Sequence, residues 1–149
     1  MIAAFNQAPA AARILALGGL IPFWVLALAP RFGINPPQLQ QALIGYAAVI
    51  LSFVGALHWG LAAARDNTSQ PLPAWRSYGW SVVPALVAWV ALLLPYHDAL
   101  MLLSLSFIAA MVVDQRWLAG RGLPVWFVPL RTLISVLVIV ALYLAQLSA

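Results

Sequence analysis

Residues 43–65 read LIGYAAVILSFVGALHWGLAAAR, and this stretch decides the fold class of the chain. Crossing the roughly 30 Å hydrocarbon core of a bilayer takes about 20 apolar helical residues, because each residue of an α-helix rises about 1.5 Å. The stretch meets this length and carries no charge before Arg65, but it contains one histidine, His58, near its end. We therefore predict a transmembrane helix with a polar group inside it.

The composition of the whole chain excludes a soluble domain. Of 149 residues, 65% are hydrophobic and only 7% are charged, whereas soluble domains carry about 25% charged residues. The basic residues are seven arginines, most of them in short connectors, and they form no clustered basic face, so we do not expect nucleic-acid binding. The chain has no cysteine, which excludes disulfides, thiolate metal sites and cysteine nucleophiles.

Five stretches are long and apolar enough to cross a membrane, so we predict an all-α polytopic bundle that forms a single domain over residues 1–149. The first contains Gly18, Gly19 and Pro22, which predicts a bend where neighbouring helices satisfy the carbonyl group that proline frees. Its end resembles a signal-peptide cleavage site, but Pro30 would follow the cut, so we interpret the segment as a retained helix. The third and fourth spans are joined by a short link and should be antiparallel neighbours. The predicted helices cover residues 12–29, 39–65, 77–94, 98–119 and 125–147.

Arginines are distributed unequally between the two ends of these spans. One end receives only Arg31, and the other receives Arg13, Arg65, Arg76, Arg116 and Arg121. Cytoplasmic loops carry the excess of arginine and lysine, so we predict a cytoplasmic N-terminus and a C-terminus on the opposite side of the membrane. An aromatic belt at the same end agrees with this orientation: Trp75, Tyr78, Trp80, Trp117 and Trp126.

Small residues follow one side of the second predicted helix and one side of the third. In lipid, such residues mark the side on which another helix approaches closely, so we predict that the two sides pack together. We expect the hydroxyl groups of Ser52 and Ser81 to bond to their own helices rather than to act in catalysis. This predicted helix-packing face consists of Gly45, Ser52, Gly55, Ala56 and Gly60 on the second helix and Ser81, Pro84 and Ala85 on the third.

Three ionisable side chains fall at a similar depth inside the predicted helices. From the helical rise, His58 lies roughly 10 Å inside Arg65, and Arg131 lies about 9 Å inside the same boundary. Asp114 reaches that depth if its helix continues to residue 119. Because an arginine in hydrocarbon costs several kcal/mol, we predict an Asp114–Arg131 ion pair with His58 close by. We favour a structural clamp over a proton or ion relay or a head-group site, since the outer half of every helix is apolar apart from hydroxyl groups.

A catalytic site or a metal-binding site is less well supported by the sequence. His58 lies about 120° around its helix from Ser52, so the two cannot form a nucleophile and base on one face. The other histidine, His97, lies at the opposite membrane surface, so two histidines cannot share a metal ion. We therefore predict no metal and no other cofactor.

Several segments together resemble the transmembrane protein 69-like family, an uncharacterised family of small polytopic membrane proteins. The run that ends in His58 is the most specific, although the family has a second glycine where this chain has Ala56. The resemblance implies a bacterial inner-membrane protein related to mitochondrial ones, and it implies no established activity. The matching segments are GLIPF at 19–23, Tyr46 with ILSFVGALHWG at 50–60, SVVP at 81–84 with Trp89, Asp114, and LRT at 130–132.

Our leading functional hypothesis is a non-enzymatic accessory or assembly subunit that binds other membrane proteins or lipid. It predicts outward-facing patches of Gly, Ala or Ser that the bundle does not use internally. One alternative is a homo-oligomeric conduit for protons, ions or a small solute, which predicts a water-filled cavity that reaches His58. A second alternative is a lipid-modifying membrane enzyme, for which only Asp114 could supply the catalytic carboxylate.

Overall fold

A computed structural model of the chain describes residues 6–34, 36–65, 74–118 and 123–148. All regular secondary structure in these ranges is helical, which confirms the predicted class. Predictions about residues 66–73 and about Arg121 lie outside the described residues, as does the side chain of Arg65. The elements are α1 (Ala10–Gly18), α2 (Ile21–Leu28), a 3-10 turn (Ala29–Phe32), α3 (Pro37–Arg65), α4 (Ala74–Ala91), α5 (Tyr96–Leu118) and α6 (Phe127–Gln146).

The first predicted helix is broken into α1 and α2, as its glycines and proline indicated. α1 ends at Gly18, and Pro22 occupies the first turn of α2, where proline requires no backbone donor. The hydroxyl group of Tyr46 on α3 donates a 2.9 Å hydrogen bond to the carbonyl oxygen of Gly19. A neighbouring helix therefore provides a hydrogen bond to one backbone carbonyl at the interruption between α1 and α2, where the bend was predicted. After the 3-10 turn, Gly33 takes a left-handed conformation with φ 77°, which turns the chain into α3.

Four helical segments of the described chain are long and apolar enough to cross a membrane by length and composition: Ala10–Phe32, Pro37–Ala64, Tyr96–Leu118 and Phe127–Gln146. The 18 residues of α4 are not among them, since its first half carries Arg76, Ser77 and Ser81. The fifth span thus stays a prediction. α5 begins at Tyr96 rather than at residue 98, because the amide of Ala99 already donates to the carbonyl of Pro95, and Asp98 therefore lies in the first turn.

The helices pack around an apolar core. α3 contacts α2, α4 and α5, and α6 contacts α2 and α5. Large side chains enclosed in the centre include Phe23 of α2, Leu51 of α3, Phe107 of α5 and Val138 of α6. The outer surface also exposes many large apolar residues, as expected of helices that contact lipid. The core holds α3, α5 and α6 in fixed register, which positions the polar groups that these helices carry.

Candidate functional site

The polar cluster of His58, Asp114 and Arg131 lies where the end of α3, the end of α5 and the beginning of α6 meet. His58 continues the buried stripe of α3, which runs through Leu43, Ala47 and Leu51 at helical spacing. Its side chain is only 3% exposed. His58 therefore lies on the most buried face of the helix.

Asp114 joins the three helices through both of its carboxylate oxygens. Nε2 of His58 lies 2.8 Å from Oδ1, and Nε of Arg131 donates a 2.7 Å hydrogen bond to Oδ2. The carboxylate is 3% exposed and the Arg131 side chain 14% exposed. Burying a charge is tolerable only when it is paired and hydrogen-bonded, and here the Arg131 guanidinium supplies the opposite charge. The three predicted cluster residues are therefore in direct contact.

The contact with Asp114 does not engage all five N–H donors of the Arg131 guanidinium. Its Nη2 lies 2.5 Å from Oδ2 of Asp114, yet it has no hydrogen-bond partner of acceptable geometry among the described residues. A bidentate pair would place the two nitrogens against the two different oxygens of the carboxylate, but Oδ1 already faces His58. Nε and Nη2 therefore both face Oδ2, and a guanidinium with five N–H donors keeps donors beyond this contact.

Trp117 lies beside the cluster and connects it to α4. The ring of Trp117 meets the imidazole of His58 edge to face, with centroids 6.3 Å apart, and the ring of Trp80 at 5.8 Å. The guanidinium of Arg76 lies 3.8 Å above the ring of Trp117, a cation–π contact. Their position at one end of the helices had predicted only an aromatic belt for Trp80 and Trp117. The three-residue spacing of Trp117 from Asp114, which puts both on one helix face, was the signal for its role.

A cavity of about 200 Å³ lies next to the cluster. Its walls come from α1, α2, α3, α5 and α6, and they are apolar except for Arg131 and Ser135. It extends inward to Phe23, Phe107 and Val138, which are 1% exposed. His58 is not among its lining residues. Sequence reasoning missed both the cavity and Ser135, although Ser135 lies one helical turn after Arg131 and shares its face.

Some residues of the predicted helix-packing face are buried between α3 and α4, and others are exposed. Gly55 is buried, and a Cβ atom there would lie 2.8 Å from the carbonyl oxygen of Ser81 and 2.9 Å from Cγ of Pro84, so α3 and α4 approach closely at this point. The hydroxyl groups of Ser52 and Ser81 donate to the carbonyl oxygens of Ala48 and Tyr78 on their own helices, as expected.

Other members of the predicted face do not pack inside the bundle. Ala56 and Gly60 are exposed, and a Cβ atom at Gly60 would have no neighbour within 4 Å. The reason is that Gly55 faces α4, whereas Ala56 and Gly60 are rotated around the helix by about 100° and about 140° from Gly55. Gly45 is partly exposed and, with Ser52 and Ala85, lines a shallow surface groove between α3 and α4.

The cluster combines an ion pair between Asp114 and Arg131 with an imidazole in contact with the same carboxylate. Within the described ranges, no group of three or more His, Cys, Asp or Glu side chains could hold a metal ion. The imidazole–carboxylate pair resembles the arrangement that orients a catalytic histidine, but burial of both groups leaves neither open to a substrate. His97 lies apart at the other end of the bundle, where it contacts Gln146.

Residues 8–147 match the model of a family described as "Protein of unknown function (DUF3429)". The chain belongs to this family. This DUF3429 chain is also 35% identical over 144 residues to "Transmembrane protein 69" of Xenopus tropicalis, a match that covers 95% of the chain and 55% of that protein. The chain thus spans little more than half the length of this relative. The resemblance inferred from the sequence is confirmed, and the chain is a multi-pass membrane protein. No solved structure matches the chain.

Proposed function

We propose that this protein is a non-enzymatic accessory subunit of the bacterial inner membrane that binds another membrane protein through the outer face of α3. In this proposal the chain crosses the membrane five times, with a cytoplasmic N-terminus and a periplasmic C-terminus. The His58–Asp114–Arg131 cluster holds the bundle together from inside, and the surface of α3 carries the function.

The observation that carries the proposal is a patch of small residues on the outside of α3. We define the small-residue patch as Ala56, Gly60 and Ala63, which follow one another at spacings of four and three and therefore share one helix face. All three are exposed, and a Cβ atom at Gly60 would contact nothing within 4 Å. In lipid, small residues at this spacing allow the backbone of another helix to approach closely. A patch that the bundle does not use is what the binding hypothesis requires.

The course of α4 supports the fifth crossing. Near one end of the α3–α4 pair, the rings of Trp59 and Tyr78 lie 4.9 Å apart, and near the other end Gly45 and Leu92 line the same groove. α4 thus runs antiparallel to α3 along most of its length. Its 18 residues span about 27 Å at 1.5 Å per residue, close to the thickness of the hydrocarbon core.

The geometry of the cluster supports a clamp in preference to a conduit. Asp114 is engaged at both oxygens by His58 and Arg131, so neither oxygen is left free to pass a proton onward. The cavity beside the cluster has mainly apolar walls and does not include His58. A relay would need a polar path, and the walls of this cavity offer only Arg131 and Ser135.

Photo-cross-linking in intact cells tests the proposal. A photoreactive phenylalanine analogue replaces Trp59, which is 52% exposed beside the small-residue patch. We expect a discrete adduct with a second membrane protein, and we expect Gly60→Leu to reduce its yield at least tenfold by blocking close helix approach. The matched control is Gly18→Leu on α1, another exposed helical glycine at which a Cβ atom meets nothing within 4 Å, and it should leave the adduct unchanged.

Three results would overturn the proposal. Adduct yields that do not respond to Gly60→Leu would show that the patch is not the contact. Adducts with lipid alone would exclude a protein partner on this face. An adduct between two copies of this chain would replace the accessory role by a homo-oligomer.

A further inference from the structure

The cavity next to Arg131 has an opening on the membrane-facing surface. Leu15 of α1 and Phe53 of α3 border it and are 76% and 68% exposed, whereas Phe23 and Val138 at its inner wall are 1% exposed. The cavity therefore leads from the outside of the bundle, between α1 and α3, toward the core. At about 200 Å³ it exceeds the roughly 150 Å³ apolar cavity that accommodates benzene in an engineered protein core.

Polar groups are confined to one end of this cavity. Along α6, the wall passes from Arg131 through Ser135 to Val138, a distance of roughly 10 Å at 1.5 Å per residue. Arg131 is the residue whose Nη2 lacks a hydrogen-bond partner of acceptable geometry among the described residues. A hydrogen-bond acceptor at this end and an apolar chain toward Val138 would complement both parts of the cavity.

The charge around the polar end favours an anionic head group. Arg131 lies at the beginning of α6, Arg76 at the beginning of α4 and Arg116 at the end of α5, and these helix ends meet around Asp114 and Trp117. Asp114 is the acidic group in direct contact there. Basic groups at one membrane interface attract anionic lipids electrostatically, and pockets between helices that carry them bind anionic lipid head groups.

We propose that the cavity is a binding site for one anionic phospholipid, with its phosphate group at Arg131 and part of one acyl chain along Ile134, Val138 and Phe23. The lipid enters from the bilayer between Leu15 and Phe53. The phosphate oxygens accept hydrogen bonds from guanidinium N–H groups that do not face Asp114, since a guanidinium carries five N–H donors. This site is separate from the small-residue patch on α3, and it does not depend on the accessory role.

Native mass spectrometry of the full chain in mild detergent tests the site with phosphatidylglycerol as the probe and phosphatidylcholine as the zwitterionic comparison. We expect one phosphatidylglycerol to bind at least tenfold more tightly than phosphatidylcholine. Ala16→Phe places a ring into the cavity from α1 and should weaken phosphatidylglycerol binding at least tenfold. Ala11→Phe adds the same ring to an exposed position of α1 outside the cavity and should change binding less than twofold.

A second variant separates the head group from the acyl chain. Arg131→Lys keeps the positive charge but loses the planar guanidinium donors to the phosphate group, and it should weaken phosphatidylglycerol binding about tenfold, whereas an acyl chain bound in the cavity without the phosphate contact would leave the affinity unchanged. Thermal unfolding followed by tryptophan fluorescence confirms that each variant is folded, since the chain has seven tryptophans. Equal binding of the two lipids would refute the selection of an anionic lipid, and unchanged phosphatidylglycerol binding by folded Arg131→Lys would refute the phosphate contact. Unchanged binding by folded Ala16→Phe would refute the cavity as the site.

Discussion

Replacing Asp114 by asparagine and Arg131 by leucine, separately and together, measures how strongly the two side chains are coupled. Arg131 donates a 2.7 Å hydrogen bond to a carboxylate that is 3% exposed. Removing one partner of a buried ion pair costs about 3–5 kcal/mol in soluble proteins, whereas polar contacts between transmembrane helices average about 0.6 kcal/mol and reach about 1.7. Arg131 is partly exposed and His58 still contacts Asp114 when Arg131 is absent. We therefore expect each single change to destabilise the protein by about 2–3 kcal/mol.

The double variant shows whether Asp114 and Arg131 are energetically coupled. Once one partner is gone, removing the other breaks no ion pair, so we expect a total loss of about 3 kcal/mol instead of the sum of the single losses. The resulting interaction energy of about 2 kcal/mol corresponds to roughly a 30-fold change in the unfolding equilibrium constant. Equilibrium unfolding with sodium dodecyl sulfate in mixed micelles, followed by tryptophan fluorescence, measures all four proteins.

A matched cycle controls for unspecific effects of removing an arginine near Asp114. Arg116 follows Asp114 by two residues on α5 and is exposed, and residues at this spacing do not face each other on a helix. Asp114→Asn and Arg116→Leu should therefore be additive within about 0.5 kcal/mol. Additive losses for Asp114→Asn and Arg131→Leu would refute the clamp, whatever the size of the single effects.

Two further predictions concern the contacts that hold α3 in place. Gly55→Val should destabilise the bundle by about 1–3 kcal/mol, because its Cβ atom would lie 2.8 Å from the carbonyl oxygen of Ser81, whereas Gly60→Val meets no neighbour and should change stability by less than about 0.5 kcal/mol. Equal losses in the same unfolding assay would contradict the α3–α4 packing. Tyr46→Phe removes the hydrogen bond to the carbonyl of Gly19 and should cost about 1 kcal/mol, with faster amide hydrogen exchange in residues 19–24; unchanged exchange there would argue against this contact.

Helix position and the polar cluster could be predicted from the sequence because both follow from distances along one helix axis. The depth of His58, Asp114 and Arg131 depends only on residue number and helical rise, so their common level was accessible without tertiary information. The cost of an arginine in hydrocarbon then restricted its partner to Asp114. In the structure, Asp114 contacts both His58 and Arg131.

The direction in which each helix face points was harder to predict. Small residues surround much of α3, and nothing in the pattern distinguishes Gly55, which contacts α4, from Gly60, which faces outward. The buried stripe of Leu43, Ala47 and Leu51 is apolar, but so are most residues of a membrane helix. Composition therefore does not distinguish the buried face of α3 from its lipid-facing side. The cavity was inaccessible for a related reason, because it is formed by the relative placement of five helices and not by any one segment.

The order of residues in the clamp has a consequence for synthesis of the protein. Asp114 precedes Arg131 in the chain, so the ribosome delivers the carboxylate before its cation. An unpaired carboxylate is costly in hydrocarbon, and the α3–α5 contact through His58 compensates only part of that cost. Packing of α6 supplies the guanidinium and closes the cluster. In the proposed clamp, the charge of Asp114 is therefore neutralised only when α6 has packed against α5.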